Sequence, residues 1–174
     1  MTLRDALEKA HQVLQDGGVD HALVGGFALA AHGVARTTND IDFLVGESQK
    51  EMAKNVLTSC GWVIELETAE VIHFAGPSNL DLLIARRPLS QEMLVESRVA
   101  AFKGIKCVSA EGIIGLKIQA YKNDPTREFQ DRADIQSLIA KFPNLRWDKV
   151  REFADLFGEW GFIEMLRKRQ ESPT

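Results

Sequence analysis

The sequence predicts an α+β fold of the α/β type: a mixed, twisted sheet flanked by helices, with additional helices at the C-terminal end. Three observations predict it. Through the first two-thirds of the chain, apolar runs of strand length alternate with stretches of helical period. Gly, Pro, Asn and Asp clusters mark the joins between them. From Ser109 onward, four successive segments keep a helical spacing of apolar residues. No Pro-, Gly- or Ser-rich linker divides the chain. The expected organisation is therefore a core over 1–108 and a C-terminal helical region over 109–174 packed on it as one compact unit.

Leu3, Leu7, Ala10 and Leu14 form a helical stripe, Thr2 and Asp5 have the spacing of a capping box, and Asp16-Gly17-Gly18 ends the helix. Ala22-Leu23-Val24 reads as a short buried strand. Phe27 to His32 reads as a helix closed by Gly33. Asp40 to Val45 is the next strand. Ser48 caps a helix running to about Cys60, stopped by Gly61. Trp62–Leu66 and Val71–Ala75 are strands around the turn 67–70, and Pro77-Ser78-Asn79 makes another turn before the strand Leu80–Ala85. Arg86-Arg87-Pro88 breaks the chain, Ser90 to about Ala101 forms a helix, and Lys103–Val108 is extended. Ser109 then caps a helix bearing Ile113, Ile114, Ile118 and Tyr121. Ile135, Leu138, Ile139 and Phe142 mark a second apolar face, stopped by Pro143. Val150, Phe153, Ala154 and Phe157 mark a third, and Phe162, Met165 and Leu166 a fourth.

The most informative stretch runs from Leu23 to Val45. On the strand that begins there, Asp40 and Asp42 point to one side, with Ile41 and Phe43 on the other. Two carboxylates that close repel each other, and a divalent cation keeps both ionised. Magnesium suits such a site, since it prefers one or two carboxylates together with phosphate oxygens and water. Asp40, following Asn39, also suits a plain turn. Upstream, Gly25-Gly26 lies where a strand passes into a helix, so that backbone N–H groups face an anion at close range. Taken alone, the glycine pair is a tight turn. It is not a Walker loop, because no Gly-Lys-Ser/Thr follows, and the third glycine of a dinucleotide fingerprint is missing. Arg36 and Thr38, just before the acidic strand, are within reach of phosphate oxygens, for which arginine has bidentate donors.

Gly25-Gly26, a helix, and then Asp40-Ile41-Asp42 resemble the signature of the nucleotidyltransferase-fold superfamily, which includes DNA polymerase beta. The run Arg36-x-Thr38-x-Asp40-Ile41-Asp42 is especially similar to that of minimal bacterial nucleotidyltransferases related to abortive-infection toxins and to small antibiotic-modifying enzymes. The resemblance implies a third carboxylate on a later strand. Asp81, the single acid within Leu80–Ala85, is the candidate, because a charge inside an apolar strand is costly unless paired or metal-bound; Glu65, Glu70 and His73 are the rivals, each also readable as a solvent-facing hairpin residue. The resemblance further implies two magnesium ions (manganese also fits) held by Asp40, Asp42 and Asp81. Asp81 would accept a proton from an attacking hydroxyl, and Gly25 and Gly26 would cradle the triphosphate. Lys117, on the first C-terminal helix, becomes a candidate nucleotide contact, while Asp131 and Asp134 with Arg127 and Arg132 read as a structural charge network. The chain departs from the family pattern at Gly26, where serine is usual and would offer a hydroxyl.

The remaining composition suits a carrier for this site. With 174 residues, 45% apolar and 26% charged, the chain is of ordinary globular make-up. A formal net charge of −4 gives no general attraction to nucleic acid. No apolar run approaches a membrane span, and Arg4, Asp5, Glu8 and Lys9 interrupt any signal-peptide layout. Cys60 and Cys107 match neither a metal motif nor a disulfide framework, which points to reduced thiols and a cytoplasmic location. His11, His21, His32 and His73 show no metal-ligand spacing. The resulting expectation is a magnesium-dependent nucleotidyltransferase that moves a nucleoside monophosphate from a triphosphate such as ATP to a hydroxyl of RNA, protein or a small molecule. The alternatives are the toxin component of a toxin–antitoxin pair, acting mainly through an antitoxin protein, and a catalytically silent nucleotide-binding relative.

Overall fold

The computed structural model describes residues 1–100 and 103–172. The chain divides into two compact units, one of Met1–Ala31 and Arg36–Val108, the other of His32–Ala35 and Ser109–Thr174.

The first unit is built on a seven-stranded mixed sheet. Its strands are β1 (His21–Leu23), β2 (Asp40–Gly46), β3 (Val63–Glu67), β4 (Val71–Ala75), β5 (Asn79–Ala85), β6 (Arg98–Val99) and β7 (Lys106–Cys107), in the order β3-β4-β5-β2-β1-β7-β6. β2 pairs in parallel with β5 and β1 with β7; every other pairing is antiparallel. One face is apolar: Ile41, Phe43 and Val45 of β2, Ile72 and Phe74 of β4, and Leu80 and Leu82 of β5 are essentially inaccessible to water. Helix α1 (Leu3–Asp16) buries Ala6, Leu7, Ala10 and Leu14, and it opens with the expected reciprocal Thr2–Asp5 capping box. Helix α2 (Gly25–Ala31) begins at the glycine pair itself, two residues before the apolar period suggests.

Two expectations are corrected in this unit. Ser48 caps nothing. A 3-10 turn over Glu47–Gln49 leads into α3 (Lys50–Ser59) without a side-chain cap. Gln49 instead ties the α1–β1 loop, donating to Gly18 O at 3.0 Å and accepting from Asp20 N at 2.8 Å. Helix α4 covers Pro88–Glu96 rather than 90–101, because Pro88 is preorganised for the first helical turn and the chain is extended again at Arg98. The expected end at Ala101 lies outside the described residues.

The second unit contains α5 (Ala110–Asn123), α6 (Glu128–Lys141), α7 (Trp147–Leu156) and α8 (Trp160–Glu171). Ser109 caps α5 by accepting from Gly112 N at 3.2 Å. Gly115 lets α7 approach α5: a Cβ there would come within 2.7 Å of the Phe153 ring. The face expected for α8 is corrected. Ile163 and Leu166 are buried, Met165 is exposed, and Phe162 lies beneath the Arg132 guanidinium at 4.2 Å. Among the described residues, no helix is long and apolar enough to cross a membrane.

Candidate functional site

The register of three neighbouring strands assembles the site. Asp42 of β2 stands opposite Asp81 of β5, and Asp81 stands opposite His73 of β4. Cross-strand partners share a face, and alternate residues along a strand return to it. Asp40, Asp42, Asp81 and His73 therefore occupy one side of the sheet, with the apolar layer on the other. One carboxylate oxygen from each of Asp40, Asp42 and Asp81 lies within 4.8 Å of the others, and all three residues are partly buried. A cluster of hard oxygen donors with this separation fits a divalent cation such as magnesium, whose charge offsets their mutual repulsion.

The glycine bend is pressed against the acidic strand. Val24 N–H donates to Asp42 O at 3.0 Å, holding the chain to β2 as it turns into α2. Gly25 has φ +63°, and a Cβ at that residue would fall 2.0 Å from Asp42 Oδ2. At Gly26 a Cβ would come within 2.5 Å of Thr38 Cβ and 2.6 Å of Thr38 Oγ1. The departure from serine at 26 thus has a steric reason, and the hydroxyl beside the bend is that of Thr38. That hydroxyl donates to Asp40 Oδ1 at 2.8 Å. Arg36 is half-buried in the same connection. Gly25, Gly26, Thr38, Asp40, Asp42 and Asp81 are therefore brought together.

His73 is corrected from a solvent-facing hairpin residue to a partner of the site: its Nδ1 is 2.6 Å from Asp81 Oδ1. A signal for it exists in the sequence. Pairing between β4 and β5 is symmetric about Pro77, which places residues 73 and 81 opposite each other.

Lys117 belongs to the helical unit. It is buried there, its ammonium 2.8 Å from both Asp131 Oδ1 and Asp134 Oδ2. Arg127 joins the network through Asp131 at 3.2 Å. Arg132 turns instead to Glu128 and Glu159, at 2.9 and 3.1 Å. Cys60 and Cys107 are free thiols, and burial pushes the Cys107 thiol up to about 12.

No family model matches the chain, and neither does any curated protein sequence. Solved structures do. The crystal structure of ANT(2")-Ia in complex with adenylyl-2"-tobramycin superposes with a TM-score of 0.72, covering 92% of this chain and 99% of the other at 17% identity. The chain has the nucleotidyltransferase fold. An antigenic nucleotidyltransferase-like protein from Paracoccidioides brasiliensis shares this fold with a TM-score of 0.60 at 17% identity, covering 95% of this chain and 92% of its own. The lincosamide antibiotic adenylyltransferase LnuA, bound to lincomycin, gives 0.58 at 15% identity, with 79% of this chain and 97% of LnuA covered. In this nucleotidyltransferase fold, the three acids stand on parallel neighbours β2 and β5, next to the glycine bend.

Proposed function

We propose that the protein is a magnesium-dependent nucleotidyltransferase that moves a nucleoside monophosphate from a triphosphate to an acceptor hydroxyl. The observation that supports this most is the convergence of Asp40, Asp42 and Asp81, three carboxylate oxygens within 4.8 Å of each other, beside a bend that only glycine fits. Asp40, Asp42 and Asp81 hold divalent metal. Bound there, the metal supplies charge neutralisation to the phosphates and to the entering and departing oxygens. Asp81 takes the proton of the acceptor hydroxyl as its oxygen bonds to the α-phosphorus; the α–β phosphoanhydride bond breaks and pyrophosphate leaves. The backbone N–H groups of Gly25 and Gly26 bind phosphate oxygens, and Arg36 and the Thr38 hydroxyl flank them. For Lys117 we propose a structural role instead of a nucleotide contact, since its charge is matched by two buried carboxylates.

ATP is the triphosphate to test first, and a hydroxyl-bearing small molecule the acceptor. Similarity along nearly the whole length of ANT(2")-Ia, solved in complex with adenylyl-2"-tobramycin, supports both choices. The test uses α-labelled ATP, magnesium, and separate pools of hydroxylated antibiotics, RNA and protein. Wild-type protein is expected to transfer label and release pyrophosphate. Asp42→Asn is expected to lower the rate about a thousandfold, or ~4 kcal/mol of transition-state stabilisation. Equal labelling by the two proteins would refute the proposed catalysis.

A further inference from the structure

The mechanism above leaves unused one polar contact at the centre of the site. His73, Asp81 and Asp42 form a single row across β4, β5 and β2, each directly opposite the next. Nδ1 of His73 lies 2.6 Å from Oδ1 of Asp81, with the two side chains 37% and 26% exposed. A carboxylate oxygen accepts, so Nδ1 donates in this bond. Flanking residues on both strands are anchored: Ile72, Phe74, Leu80 and Leu82 are each at most 1% exposed on the opposite face. The backbones that carry the histidine and the acid are thereby held in register. Asp40 already has a comparable brace from the Thr38 hydroxyl at 2.8 Å.

We propose that His73 is a positioning residue, whose imidazole holds the Asp81 carboxylate in the orientation in which it joins Asp40 and Asp42 around a divalent cation. This rests on the reading of the three acids as a metal centre. An aspartate side chain can rotate about two torsions, and a donor fixed to one oxygen selects the direction of the other. Hydrogen bonds to metal-ligating carboxylates commonly act this way, and their loss weakens metal affinity by about 10–100-fold.

The test is Mn2+ binding to the nucleotide-free protein, followed by electron paramagnetic resonance, with thermal unfolding recorded for every variant. His73→Phe keeps the ring and removes the donor; it is expected to bind Mn2+ at least about tenfold more weakly. His73→Asn places an amide nitrogen the same number of bonds from the backbone as Nδ1, and it is expected to restore affinity to within about threefold of wild type. If His73→Phe does not fold, His73→Leu, which also lacks a donor, is compared with His73→Asn in its place. Wild-type affinity in the donor-lacking variant, or equal losses in it and in His73→Asn, would overturn the positioning role. Asp42→Asn separates this outcome from failure of the underlying reading. If it binds Mn2+ as wild type does, the three acids are not a metal centre and the role of His73 falls with them. If it loses binding while His73→Phe does not, only the role of His73 is lost.

Discussion

Gly25 shows how tightly single positions constrain this site. Its backbone is left-handed, and the space where a side chain would start is taken by the Asp42 carboxylate. A left-handed conformation costs a non-glycine residue about 1–2 kcal/mol, and relief of the overlap would displace Asp42. Gly25→Ala is therefore expected to lower stability by at least ~1 kcal/mol and to abolish nucleotidyl transfer. Gly18→Ala is the control: it too has positive φ, but no atom lies within 4 Å of its Cβ. The control should show the stability loss while retaining transfer, measured by denaturant unfolding and by the labelling assay. Retention of full transfer by Gly25→Ala would separate the bend from the reaction. Arg86, Arg87, Lys103 and Lys106 are each engaged by an acid, namely Glu47, Glu70, Glu8 and Asp20.

Among the elements, α5 and α6 are joined by the most consequential charge cluster. Lys117, Asp131 and Asp134 are each at most 6% exposed. Removing one partner from a buried pair leaves uncompensated charge and costs about 3–5 kcal/mol. Lys117→Met should lose about that much stability, whereas Arg151→Ala, which breaks an exposed pair with Asp155, should change it by less than about 1 kcal/mol. Chemical unfolding of the three proteins checks this. A Lys117→Met protein as stable as wild type would return the lysine to the list of nucleotide contacts. The same element pair shows what sequence alone does not reveal. The acids at 131 and 134 were legible as a network, but the lysine fourteen residues upstream of Asp131 could not be matched to them, because the pairing depends on how two helices pack.

At the scale of the whole molecule, stability should depend on pH through two histidines that are distant in sequence from the acids. His21 is 5% exposed; its Nδ1–H donates to Val19 O at 2.8 Å, and its Nε2 accepts from His11 Nδ1 at the same distance. Burial holds the His21 pKa below its ordinary 6.5, outweighing the upward pull of the Val19 carbonyl, and burial lowers His11 as well. The unfolded chain then binds more protons than the folded one as pH falls below 6.5, so stability present above that value declines on acidification. The melting temperature should be lower at about pH 5.5 than at about pH 7.5, with a smaller difference in His21→Gln. An unchanged difference in that variant would assign the pH dependence to other groups.

The glycine pair, the alternate acids of β2 and the capping box of α1 could all be read from the chain, since each depends on residues within a few positions of one another. Asp81 was accessible by a different route, as a charge that an apolar strand does not tolerate without a reason. Helix phase and helix ends are less legible: Phe162 is sheltered by a guanidinium from another helix, Pro88 already occupies the first turn of α4, and Ser48 falls within a 3-10 turn ahead of α3. The steric demand for glycine opposite Thr38 and the lysine between two aspartates arise only when strands and helices are laid side by side, while the pairing of His73 with Asp81 follows from the hairpin register about Pro77. Local chemistry is written along the backbone, whereas distances between remote side chains follow from register and packing.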